Sequence, residues 1–122
     1  MAAQPTDAPG ATPANRPTIS THVLDTERGA PAVGVHVTLY RLDVGDAPIR
    51  MTQALTDGDG RVRDLMERPL AAGEYRLEFD VAHEDGAFFT KVAVDLRITD
   101  TSRSYHVPLL LAPYAMTTYR GT

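Results

Sequence analysis

The sequence contains no cysteine, which excludes a disulfide framework and any thiolate metal site and leaves the hydrophobic core to hold the fold together. A reducing compartment is compatible with that composition. Lysine is almost absent and the arginines are scattered, and 12 basic residues against 16 acidic ones give a net charge of -4. Neutralising a phosphate backbone needs an excess of clustered Lys and Arg, so a nucleic-acid partner is excluded. No apolar run is long enough to span a membrane, and no membrane partner is expected. The first segment, Met1 to Pro17, is rich in Ala, Pro, Thr and Asn and lacks the basic start and apolar stretch of a secretory signal. It reads as a disordered, solvated tail, and the cytoplasm is the expected location.

What remains, Thr18 to Thr122, is one small domain within a chain of 122 residues that is 43% hydrophobic and 23% charged. Those are the proportions of an ordinary globular protein, and a domain of this size buries roughly two thirds of its unfolded surface. Short β-rich runs separated by turn residues dominate, and no window sustains the apolar period of a long helix. The expected strands are 19–25, 35–42, 49–56, 74–80, 91–99, 104–111 and a short one at 117–119. The fold class is therefore all-β: an antiparallel sandwich of seven to eight strands with little or no helix. Val35, Val37 and Leu39 alternate with His36, Thr38 and Tyr40, which puts the first three in the core. The polar stretch His83 to Gly86 reads as a loop or a single helical turn between strands.

Two local features carry more information. Asp57-Gly58-Asp59-Gly60 is a turn in which both glycines are expected to supply positive φ and which presents Arg61 at the start of the next segment. It fails as a calcium loop, because Arg61 and Arg68 stand at the fifth and twelfth positions where acidic ligands are needed. The late strand has apolar groups on both faces: Tyr105, Val107, Leu109 and Leu111 on one, Pro108 and Leu110 beside His106 on the other. A second face of that kind needs a cover, and a symmetric subunit interface supplies one, so an oligomer is expected. Pro108 withholds a ladder N–H, which suits an edge or a bulge.

Four histidines, Arg61 and the carboxyl terminus are the candidates for chemistry. There is no Gly-x-Ser-x-Gly elbow, and no His-x-x-x-His pair supports a metal site. His22 on a strand would ordinarily be a packed, hydrogen-bonded side chain, and Arg61 a solvated loop residue. His106 stands out, since apolar neighbours on an interface face would desolvate it and favour its neutral form. His36 and His83 carry no such signal.

These segments, taken together, resemble the hydroxyisourate hydrolase (transthyretin-related) family in four places and in the family's order. They are Ser20-Thr21-His22-Val23-Leu24-Asp25-Thr26 with Gly29-Ala30-Pro31-Ala32; Thr56-Asp57-Gly58-Asp59-Gly60-Arg61; Tyr105-His106-Val107-Pro108-Leu109-Leu110-Leu111 with Pro113-Tyr114; and the ending Tyr119-Arg120-Gly121-Thr122. The resemblance implies a transthyretin-like (prealbumin) fold and hydrolysis of 5-hydroxyisourate to the ureidoimidazoline product in urate degradation, without cofactor or metal. It further implies His22, Arg61 and His106 as catalytic residues and Tyr119, Arg120, Gly121 and Thr122 as substrate-binding residues. The sites would lie at the dimer-dimer interface of a homotetramer. Transthyretin itself, a hormone carrier, lacks the two histidines, the arginine and the Tyr-Arg-Gly ending. This chain departs from the hydrolase pattern at Thr122 in place of a terminal serine, at Met116 where an aromatic residue is common, at Thr90 where proline is common, and in a short 81–89 connection that leaves little room for the family's helix. Two other readings are a carrier of aromatic ligands, which calls for a dry apolar channel, and a monomeric β-sandwich interaction module with purely structural histidines.

Overall fold

A computed structural model describes residues 16–82 and 85–122. Nine strands follow in order: β1 (Ile19–Asp25), β2 (Ala30–Pro31), β3 (His36–Arg41), β4 (Ile49–Leu55), β5 (Arg61–Val62), β6 (Gly73–Asp80), β7 (Lys91–Ile98), β8 (Tyr105–Ala112) and β9 (Ala115–Thr118). They form two sheets, one ordered β4-β3-β6-β7 and one ordered β2-β1-β8-β9, with β5 also paired to β1. The architecture is the expected all-β sandwich, and no helix occurs among the described residues. The count exceeds seven to eight because β2 and β5 are two-residue strands, too short to show a hydrophobic period. The sandwich also has one parallel pair, β1 with β8. Strands 86 residues apart in sequence need no hairpin between them, so nothing local forces them antiparallel.

The core lies between the sheets and follows the alternation of side chains. Ile19 and Val23 of β1, Val37 and Leu39 of β3, Tyr75, Leu77 and Phe79 of β6, and Leu109 of β8 are fully buried. Val35, just ahead of β3, joins them, whereas His36 is exposed. Thr38 departs from the expected outer-face pattern: it is buried, and its hydroxyl accepts a 3.1 Å hydrogen bond from the Gln53 amide across the sheet. Thr21, also buried, donates from Oγ1 to the Val107 carbonyl at 2.5 Å, which ties β1 to β8 from within.

Packing reaches ahead of Thr18, because Arg16 pairs with Asp64 at 3.0 Å and Thr18 Oγ1 donates to the same carboxylate at 2.5 Å. The tail expected over Met1 to Pro17 lies outside the described residues as far as residue 15. His83 and Glu84 also lie outside them, while Asp85 and Gly86 form a turn.

Pro108 is not on an edge: β8 is flanked by β1 and β9. The β8–β9 ladder runs from Ala112↔Ala115 to Leu109↔Thr118, and after a gap at Pro108 the same register returns in the bridge His106↔Gly121. The carbonyls of Val107 and Leu111 face β1 and the Thr26 side, so Pro108 faces β9, at the place where its missing N–H interrupts the ladder. Thr118 Oγ1 donates to the Pro108 carbonyl at 2.8 Å and holds the interrupted segment in place.

Candidate active site

The outer face of the second sheet collects the expected catalytic residues by strand alternation. With Ile19, Thr21 and Val23 turned inward, Ser20, His22 and Leu24 point out. β5 lies antiparallel to β1 with His22 directly opposite Arg61, and β8 lies parallel with Ser20 opposite His106 and His22 opposite Pro108. One strand spacing and a two-residue offset put the Cα atoms of His22 and His106 about 8 Å apart. Three strands from distant parts of the sequence thus bring two imidazoles and a guanidinium to one surface. All three side chains are half-buried.

The turn before β5 sets the position of Arg61. The Asp57 carboxylate accepts from the backbone N–H groups of Asp59 (2.8 Å) and Arg61 (3.0 Å), and the Gly60 N–H donates to the Asp57 carbonyl at 2.9 Å. Those Arg61 and Asp59 amides hold the Asp57 carboxyl below its usual range, with the nearby Arg63 and Arg61 charges adding to the effect. The carboxylate that a calcium ion would need is committed to the turn. Of the two glycines expected to take positive φ, only Gly60 does, at 78°; the turn closes at that single residue.

Each histidine is held by one ring nitrogen. His22 Nε2 lies 2.8 Å from the Asp59 carbonyl, an oxygen that can only accept, so Nε2 carries the hydrogen and Nδ1 is the free nitrogen of the neutral ring. His106 Nδ1 lies 2.9 Å from Ser20 Oγ. Burial pushes the His106 pKa down, and the Arg61 charge and then the proximity of His22 add in the same direction. The ring is neutral at pH 7, the state a proton acceptor requires.

The chain end is divided between two faces. Gly121 bridges to His106, its N–H donating to the His106 carbonyl at 2.7 Å. Tyr119 and Arg120 both border a cavity of about 300 Å³ with Leu96 and Ile98 of β7 and Tyr105 and Val107 of β8. Within this protomer the structure therefore brings His22, Arg61, His106 and Gly121 to one side, while Tyr119 and Arg120 border the cavity; Thr122 is exposed at the end. Among the described residues no group of three or more His, Asp or Glu side chains gathers as a metal site would require. Two groups that sequence reasoning passed over are Ser20 and the Asp59 carbonyl. Ser20 lies two residues from His22 and so on its face, but only the β1–β8 register shows that it meets His106.

A two-sheet β-sandwich with His, Arg and His converging on one outer face defines a narrow class of proteins. Residues 19–121 match the HIUase/transthyretin family model, and the chain belongs to that family. It is 43% identical over 116 residues to the 5-hydroxyisourate hydrolase of Deinococcus radiodurans, covering 87% of this chain and 97% of that one. It is 44% identical over 115 residues to 5-hydroxyisourate hydrolase 2 of Rhizobium meliloti, covering 85% and 95%. Among solved structures, Klebsiella pneumoniae 5-hydroxyisourate hydrolase superposes with a TM-score of 0.76 at 33% identity, covering 87% of this chain and 99% of that one. Sea bream transthyretin in complex with thyroxine superposes at 0.77 with 25% identity, covering 85% and 94%.

Proposed function

We propose that the protein hydrolyses 5-hydroxyisourate, opening its six-membered ring to the ureidoimidazoline product in urate degradation, and does so in the cytoplasm without cofactor or metal. The observation that carries this reading is the convergence of His22, Arg61 and a neutral His106 across β1, β5 and β8. The hydrolase relatives support it. The thyroxine-bound neighbour shares the fold, but the face that carries these groups here is cationic and hydrogen-bonding rather than a dry apolar channel.

Hydrolysis of a cyclic amide needs a nucleophilic water, a stabilised oxyanion and a proton for the leaving nitrogen. His106 Nε2 takes the proton from water as the oxygen attacks the carbonyl carbon. The Arg61 guanidinium faces the developing oxyanion, where a partly desolvated donor stabilises the transition state more than the ground state. The C–N bond then breaks and the proton on His106 goes to the departing nitrogen. His22, with Nδ1 free, orients the planar substrate or shares in proton delivery. The terminal segment closes the site, Gly121 against His106 and Tyr119, Arg120 and Thr122 from the end of the chain. A homotetramer with sites at its dimer-dimer interface covers this outer face, where Leu110 beside His106 is half-buried and Pro108 is already buried within the protomer.

The test is the decay of 5-hydroxyisourate, generated in situ by oxidation of urate and followed by ultraviolet absorbance. Acceleration by the folded protein supports the reaction, and decay no faster than in buffer refutes it. In the same assay a carboxyl-terminal extension is expected to reduce the rate at least tenfold, because Gly121 is bonded to the backbone of His106 itself. An amino-terminal extension is expected to leave the rate unchanged, and equal rates for the two would remove the tail from the site.

The pH dependence has a defined sign. A depressed pKa keeps His106 neutral to lower pH, so the acid limb of kcat/KM should have its midpoint below the ordinary histidine value of about 6.5. Activity is then full above that value and is lost as the pH falls through the depressed pKa. Arg61→Gln removes one of the charges responsible and should move the limb toward higher pH; a limb that stays in place would separate the two groups.

A further inference from the structure

The His106 ring is gripped from both sides. On the β1 side Ser20 Oγ lies 2.9 Å from Nδ1, on a residue directly opposite His106 in the ladder. On the tail side Gly121 lies so close that a Cβ built on it would be 2.8 Å from His106 Cδ2 and 3.5 Å from its Cβ. Nδ1 and Cδ2 flank the carbon that joins the ring to the chain, so the remaining edge, Cε1 and Nε2, projects away from the sheet. Only a residue without a side chain fits on one flank, and only a hydroxyl meets the nitrogen on the other.

We infer that Ser20 and Gly121 form a clamp that sets the tautomer and the plane of His106, with Ser20 Oγ accepting the Nδ1–H so that the Nε2 lone pair faces outward. The inference rests on the reading of His106 as the base. A serine that donated to Nδ1 would leave the hydrogen on Nε2 and no lone pair to take a proton from water. An accepting serine keeps its bond through the whole cycle: Nε2 gains water's proton, the ring becomes imidazolium with Nδ1–H still on Ser20, and Nε2 gives that proton to the leaving nitrogen. Ser20 and Gly121 are thus positioning residues; neither touches the reacting atoms. In Gly121→Ala the added methyl pushes the ring off Ser20, so both variants converge on one defect.

The experiment records long-range ¹H–¹⁵N correlations of the imidazoles of the full chain at about pH 8, above the ordinary histidine range, beside kcat and KM. The wild type should show His106 as a single tautomer protonated at Nδ1. Ser20→Ala and Gly121→Ala should show a mixed tautomer, with kcat lowered about tenfold and KM changed less than about twofold, while Ser20→Thr restores both spectrum and kcat. A single Nδ1–H tautomer persisting in Ser20→Ala overturns the clamp, whatever the turnover. Loss of the tautomer with kcat unchanged overturns the positioning role and removes His106 as the base. If the wild type does not accelerate hydrolysis at all, the proposed reaction fails, and the spectra still decide whether the clamp exists.

Discussion

Alanine at His106 is expected to slow ring opening by about 10²- to 10⁴-fold, the range in which a positioned general base contributes, with little change in melting temperature. The side chain is half-buried on the outer face and takes no part in the core, so activity and stability should separate. Arg61→Ala is expected to cost about 10²- to 10³-fold, the usual loss when one oxyanion donor is removed. Arg61→Lys should recover only part of it, because a point charge does not reproduce the guanidinium fork. The two single variants should not multiply in the double variant, since Arg61 also acts on His106 through its charge. The measurement is kcat/KM for substrate decay with each folded variant; a loss below about tenfold for His106→Ala would require another base.

Gly60→Ala is expected to be the most damaging single change in stability outside the core. Gly60 has φ of 78°, and a Cβ there would lie 2.5 Å from the Val23 carbonyl oxygen, 3.0 Å from Pro31 Cβ and 3.2 Å from the Ala32 backbone nitrogen. Two of those three atoms are backbone, and they cannot yield without breaking ladder bonds. The Val23 N–H donates to the Gly60 carbonyl at 2.7 Å and the Ala32 N–H to the Val23 carbonyl at 2.9 Å. The left-handed conformation costs a Cβ-bearing residue about 1–2 kcal/mol, and the loss of two buried hydrogen bonds adds about 1 kcal/mol each or more. A total of about 3–5 kcal/mol lowers the melting temperature of a domain this size by roughly 10–20 °C. Gly58→Ala is the control: nothing lies within 4 Å of its built Cβ and its φ is not positive, so it should melt within a few degrees of wild type. Equal melting temperatures for the two would show that the turn adapts. Because β5 begins at the next residue, any Gly60→Ala protein that still folds should also lose activity through a displaced Arg61.

Strands such as β1, β3 and β6 were legible in the sequence because each carries a two-residue hydrophobic period, and β1, β6 and β7 begin or end within a residue or two of the expected bounds. β2 and β5 were not legible. A two-residue strand has no period, and both exist because β1 offers a free edge for them to pair with. Thr38 lies on the face opposite Val37 and Leu39 by alternation yet is buried, since alternation says nothing about cross-strand neighbours such as Gln53, whose amide donates to its hydroxyl.

At the site, the resemblance to the hydroxyisourate hydrolase family implied His22, Arg61, His106 and the terminal tetrapeptide, where the residues taken singly favoured His106 alone. That Ser20 meets His106, that His22 stands opposite Arg61, and that Gly121 reaches His106 all depend on register. A shift of one residue in any of those pairings would send the side chain to the other face.

The sequence by itself determined the all-β class, the core faces of the long strands and the residues able to do acid-base chemistry, because these depend on side-chain identity and a local period. Only the tertiary structure decided the parallel β1–β8 pairing, the clamp on His106 and the single left-handed glycine beneath Arg61. These arise from groups distant in sequence finding one another, Ser20 with His106 and Val23 with Gly60 among them, and no local pattern records that meeting.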